Sequence, residues 1–223
     1  MTRNWIRTGC TALATATLAL GLSGCLPVVV GGGMVTTAMV ASDRRTAGSQ
    51  VEDESIELRA QNRIRELLGE RVRVGVTSFN RRALVYGEAR NEADKQAVEK
   101  AVREIPTVTE VFNEVEVTPF LSSLTQASKD TFITSKVKAS LINAKDLQAS
   151  AIKVVTDRNV VYLMGIVTER ETRRAAEIAR GVNDVRKVVR IFETVSEQAL
   201  ANYISQPAPV VYDAPPSAGA TTP

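Results

Sequence analysis

Few of the residues that most often do chemistry in proteins are present in this chain of 223 residues. It has no histidine and two cysteines, Cys10 and Cys25. The commonest general base and metal ligand is therefore lacking, and thiol chemistry is confined to the N-terminal stretch. The 25 Asp and Glu residues are scattered through amphipathic segments, where a solvated helix face accounts for them. No phosphate loop of the G-x-x-x-x-G-K-S/T type occurs, and no G-x-S-x-G. Gly87 and Gly165 are single glycines in apolar runs, suited to close backbone packing. No catalytic residue, metal site or cofactor emerges. The chain reads as a binding or structural protein rather than an enzyme.

One constellation suits a surface. Ile133, Val137 and Leu141 recur at helical spacing and define a buried face. Phe132 lies about 100° to one side of Ile133, grouped with Lys136 and Ala139 and flanked by Lys129 and Lys138. A large apolar ring beside lysines, off the core stripe, is what a helix lying in a membrane interface needs. Packing of Phe132 against another part of the chain is the other possibility these residues leave open. Charge is uneven. Residues 52–117 hold 11 Lys and Arg against 14 Asp and Glu, a net −3. Residues 129–195 hold 13 against 8, a net +5. Each Lys or Arg near anionic lipid contributes about 1 kcal/mol, so the second segment is the better suited to such a surface. Nucleic acid is not expected as a partner, because neither an aromatic RNA-binding strand nor a GxxG loop is present beyond residue 24.

The N-terminus shows three zones. Arg3 and Arg7 precede an apolar stretch, Thr11 to Leu22, too short to span a bilayer. Small residues and a cysteine follow. Residues 1–24 are read as a signal peptide, and Leu22-Ser23-Gly24-Cys25 resembles the lipobox of bacterial lipoproteins. That resemblance implies cleavage after Gly24 and lipidation of Cys25. Leu26, rather than Asp, then favours the outer membrane, with the body on its periplasmic face. The mature chain would have neither a free thiol nor a disulfide.

Residues 25–50 are read as a lipidated, disordered tether and 197–223 as a Pro-rich disordered tail. Between them lies a repeat: Asp53, Ile56 and Gly87 match Asp130, Ile133 and Gly165. The two copies are placed at 51–118 and 129–196, joined by a linker at 119–128. Each reads αββαβ, an α+β unit with two helices on one face of a three-stranded sheet. Asp53 and Asp130 stand just before an apolar stripe, as helix N-caps do. The hairpin turns are placed at Phe79–Arg82 and at Thr156–Asn159. Units of about 65 residues have modest cores, so contact between the copies is expected.

This order, the glycine near the end of the second strand and the Glu/Ala-patterned helix after it resemble the BON domain. Two such domains behind a lipobox resemble the dual-BON outer-membrane lipoproteins, the DolP type. Three stretches carry the likeness: Asp43-Arg44-Arg45-Thr46-Ala47-Gly48 through Asp53, Asp130 through Lys138, and Tyr162 through Glu171. It covers Asp43 to Thr194. In the first copy Glu104-Ile105-Pro106 replaces the Gly181-Val182 turn of the second, so a difference is expected at that corner. The resemblance implies a non-enzymatic protein that supports outer-membrane integrity at division sites. It also implies that the first helix of the second domain binds anionic phospholipid. The alternative is an adaptor that binds proteins of outer-membrane assembly, division or cell-wall remodelling.

Overall fold

A computed structural model describes residues 43–119 and 124–205, with side chains over 43–119 and 126–201. The predicted signal peptide, the lipidation site Cys25, residues 26–42 of the tether and the tail from 206 onward lie outside the described residues. The first domain runs α1 (Ala47–Leu68), β1 (Val72–Phe79), β2 (Arg82–Ala89), α2 (Glu92–Arg103) and β3 (Glu110–Val117). The second repeats it as α3 (Leu124–Asn143), β4 (Ile152–Asp157), β5 (Val160–Thr168), α4 (Glu169–Arg180) and β6 (Lys187–Val195). A further helix, α5 (Glu197–Ser205), follows.

In each sheet the second strand is central. It pairs antiparallel with the strand before it, across a two-residue hairpin, and parallel with the strand after the crossover helix. Alternation along the strands sends Val72, Val76, Val85 and Val115 toward α1 and α2, where they meet Ile56, Ala60, Ile64 and Val102. The second core repeats this with Val154, Leu163 and Phe192 against Ile133, Val137, Leu141 and Ala179. Gly87 and Gly165 are central-strand positions where a side chain would run into the carbonyl oxygens of Arg73 and Ala151. Gly87 also has φ +117°, a conformation that favours glycine.

Asp53 and Asp130 are not N-caps. Helix α1 begins six residues before Asp53, capped by Thr46, whose hydroxyl accepts from the Ser49 amide. Helix α3 opens at Leu124, inside the predicted linker, so Asp130 also sits within a helix. Both carboxylates are buried, and both hold a hairpin. Asp53 accepts from the amides of Asn80 and Arg81 at 2.8 and 2.7 Å and from the Ser78 hydroxyl. Asp130 accepts from the amides of Arg158 and Asn159 at 2.9 Å each. These four turn residues have φ between +46° and +64°. They form turns of the I′ sense without the glycine such turns prefer. The charged acceptors compensate for that backbone. The second hairpin is centred on Arg158-Asn159, one residue later than predicted.

The sheet faces turned away from the helices meet each other. Phe79, Leu84, Tyr86 and Phe112 of the first domain pack against Val160, Tyr162, Met164 and Ile191 of the second. The Tyr86 and Tyr162 ring centroids are 6.2 Å apart. The result is four layers, helices–sheet–sheet–helices. Ion pairs rim the contact: Lys153–Glu57 at 2.6 Å, Arg158–Glu116 at 2.8 Å and Lys187–Glu114 at 3.9 Å. Asn80 donates to Glu193.

Two further readings are corrected. Residues 43–50, predicted as tether, belong to the fold: Arg44 is buried and Ala47 starts α1. Residues 197–205, predicted as disordered tail, form α5. The Ser196 hydroxyl accepts from the Ala199 amide at its start, and Leu200 is buried. The corner after the crossover helix differs between copies, as expected, but three residues further on: Asp184 has φ +72°, while no residue of the first corner has a positive φ. Glu104 and Gly181 have φ,ψ of −78°, 0° and −73°, −9°, a right-handed conformation open to any residue.

Arg44 forms a two-pronged pair with Glu171, both bonds 2.8 Å. Burial of Glu171 opposes its charge, but Arg44 and the Thr168 amide outweigh burial and hold its carboxyl below the ordinary glutamate value. A depressed carboxylate contributes stability that is complete above the unfolded-state pKa and is lost as pH falls through the folded value. Glu171→Gln should therefore lower the urea midpoint at pH 7, and the deficit should shrink on acidification below about pH 4. Asp130→Ala removes two charge-assisted amide bonds, each contributing about 1.5–3 kcal/mol. Urea unfolding at neutral pH should register a loss of about 3 kcal/mol.

Candidate functional site

Helix α3 has two faces. Ile133, Val137 and Leu141 are buried against β4 and β5, and the Thr134 hydroxyl bonds Thr156 on β4. Opposite them Phe132 is 60% exposed. Its ring is not covered by the first domain, whose contact with the second runs through the sheets. The ammonium of Lys136, one turn on, lies 4.3 Å from the Phe132 centroid. That places a cation on the ring face, a favourable arrangement. Lys136 is also 3.9 Å from Asp184. Lys129, Lys138 and Ala139 are exposed, so all five residues singled out in the sequence share the solvent side of this helix. Neither Lys129 nor Lys138 makes an ion pair among the described residues.

Ile142 was missed. It is 70% exposed, the most exposed large hydrophobic residue among those described. Ten residues past Phe132, it lies about 80° around the helix and about 15 Å along it. A helical wheel drawn to the end of the segment would have found it, but its neighbour Leu141 draws attention to the core. Phe132 and Ile142 together give α3 an apolar outer edge with lysines on either side.

Other basic clusters are engaged elsewhere. Arg170, Arg173 and Arg174 pair with Glu197, Glu169, Asp146 and Glu177, an ion-paired solvated face. Lys187 reaches Glu114 of the first domain and so belongs to the contact between domains. A cleft of about 510 Å³ opens beside that contact, lined by Glu114, Glu116, Arg158, Tyr162, Arg186 and Lys187. With Glu92 and Lys95 it carries three acids and four bases, close to neutral. Burial pushes the Tyr162 phenol above its ordinary value, with Glu114 and Asp157 adding to the effect, so it stays protonated. No group of three or more potential metal ligands occurs among the described residues. None of the described helices is long and apolar enough to cross a membrane.

Two αββαβ units packed sheet to sheet define a tandem BON protein. The BON family model matches residues 52–119 and 129–195, and the chain belongs to that family. It is 34% identical over 174 residues to the outer membrane lipoprotein DolP of Haemophilus influenzae, covering 77% of this chain and 89% of that protein. A 21 kDa hemolysin of Actinobacillus pleuropneumoniae is 32% identical over 155 residues, 69% of this chain and 79% of that protein. An osmotically inducible protein of Escherichia coli matches 60 residues at 38% identity, 26% of this chain and 30% of that one. Within its family the chain is an outer-membrane lipoprotein.

The two faces of α3 differ in what they contribute to folding. Phe132→Ala should change stability by less than about 0.5 kcal/mol, as an exposed substitution does. Ile133→Ala should cost about 2–5 kcal/mol. Urea denaturation of the two variants separates surface from core.

Proposed function

We propose that this outer-membrane lipoprotein binds anionic phospholipid through α3 and so supports the integrity of the membrane that carries it, at division sites. The carrying observation is Phe132, exposed on a core-packed helix with the Lys136 ammonium on its ring and Lys129 and Lys138 nearby. Such a helix can sink an aromatic ring into the acyl boundary while its lysines meet phosphate. Ile142 supplies a second apolar contact on the same surface. The likeness to an outer membrane lipoprotein supports the setting. A lipid on Cys25 would hold the helix at high effective concentration beside the bilayer, so weak contacts suffice.

Phe132→Glu places a carboxylate where the ring would enter lipid. In the Cys25→Ser chain it should reduce binding to phosphatidylglycerol vesicles at least ten-fold, read by co-sedimentation, with the circular dichroism spectrum unchanged. Phosphatidylcholine vesicles should bind neither protein. Equal binding of both proteins to phosphatidylglycerol would overturn the reading and favour an adaptor that meets a protein through this surface.

A further inference from the structure

Two of the sequence stretches that carry the family likeness, Asp43–Asp53 and Tyr162–Glu171, meet in space. Their junction is Arg44. It stands three residues before α1, at the entry to the first domain, yet its side-chain partners belong to the second. Its guanidinium donates to both Glu171 oxygens at 2.8 Å, to the Ile166 carbonyl at 2.7 Å and to Gln148 Oε1 at 3.2 Å. Arg44 is 8% exposed and Glu171 4%. The next residue turns to the first domain. Arg45 donates to Asp53 at 2.7 Å and lies 4.2 Å from the Phe79 centroid. One dipeptide thus fastens the incoming chain to both domains.

The fastening point is close to the C-terminal end of α3. Gln148 comes five residues after Asn143, the last residue of that helix. The intervening loop is held to α4, because Arg170 donates to the Asp146 carbonyl and Arg174 to its carboxylate. A forked Arg–carboxylate pair fixes direction as well as distance. We propose that Arg44 is a positioning residue for membrane contact: it makes the lipidated segment leave the fold beside the C-terminal end of α3, so that anchor and helix engage one bilayer together. This rests on the reading of α3 as the lipid-contacting helix. From Cys25 to Asp43 the chain can span at most about 65 Å. The point where it leaves the fold sets which face of the body stands nearest the anchor.

The test uses the full lipidated protein. Trp5 is the chain's one tryptophan and lies in the predicted signal peptide, so Phe132→Trp gives the mature chain a single indole. In phosphatidylglycerol/phosphatidylethanolamine vesicles containing brominated lipid, that indole should be quenched. Adding Arg44→Gln should reduce the quenching several-fold in the lipidated protein. In the Cys25→Ser chain the same substitution should leave vesicle affinity within two-fold. If the lipidated reference is not quenched, the lipid reading of α3 falls and the positioning role with it. If it is quenched equally with and without Arg44→Gln, the positioning role is wrong and the lipid reading stands. Loss of affinity in the unanchored chain as well would make Arg44 a structural residue only.

Discussion

A three-stranded sheet with helices on one face leaves its other face to water, and in both domains of this protein that other face is apolar. Strand β5 states the problem most sharply, since all nine of its residues are buried. Leu163 and Val167 face the helices, while Tyr162, Met164 and Ile166 face away from them. A sheet covered by helices on one face only normally keeps its other face polar. Here the second face is covered by the matching face of the other copy, and each sheet becomes the other's lid. The domains are therefore two halves of one packed body, and the features at their junction follow from that requirement.

Charge follows it too. The acidic first copy and the basic second copy are complementary across the rim, where Lys153, Arg158 and Lys187 meet Glu57, Glu116 and Glu114. Part of the positive excess of the second domain is thus turned inward, toward its twin. What remains for an outside partner includes Lys129 and Lys138 of α3, which stand on the opposite side of the domain from the sheet contact, besides the exposed Lys145, Arg180, Arg186 and Arg190. The whole-domain charge is a poor guide to this surface, and the exposure of individual side chains is a better one.

Periodicity made much of this legible in the sequence. The spacing of Ile56, Ala60 and Ile64, the alternation of Val72, Val74 and Val76, and the recurrence of both around Gly87 and Gly165 define the repeat and its element order. Phe132 stood out because it breaks the helical stripe. Other features were hidden for physical reasons. An aspartate just before an apolar stripe looks like a helix cap, while the amides that Asp53 actually holds lie 27 and 28 residues further on. No local pattern reports a partner at that distance. Arg44 is likewise an ordinary surface residue in one dimension, because its acceptor Glu171 is 127 residues away. At the corner after the crossover helix the copies do differ, but at Asp184 and not at the glycine, which occupies a conformation that needs no glycine.

The layering also sets a distance. Helices α1 and α3 cap opposite outer faces of the body, and packed layers stand about 10 Å apart. Any surface that receives α3 therefore holds α1 roughly 30 Å away, facing in the opposite direction. Val51 and Leu58, exposed on α1, then point outward into the surrounding space. Geometrically the protein is a spacer of fixed thickness: whatever receives one end, the other is presented to what passes above it.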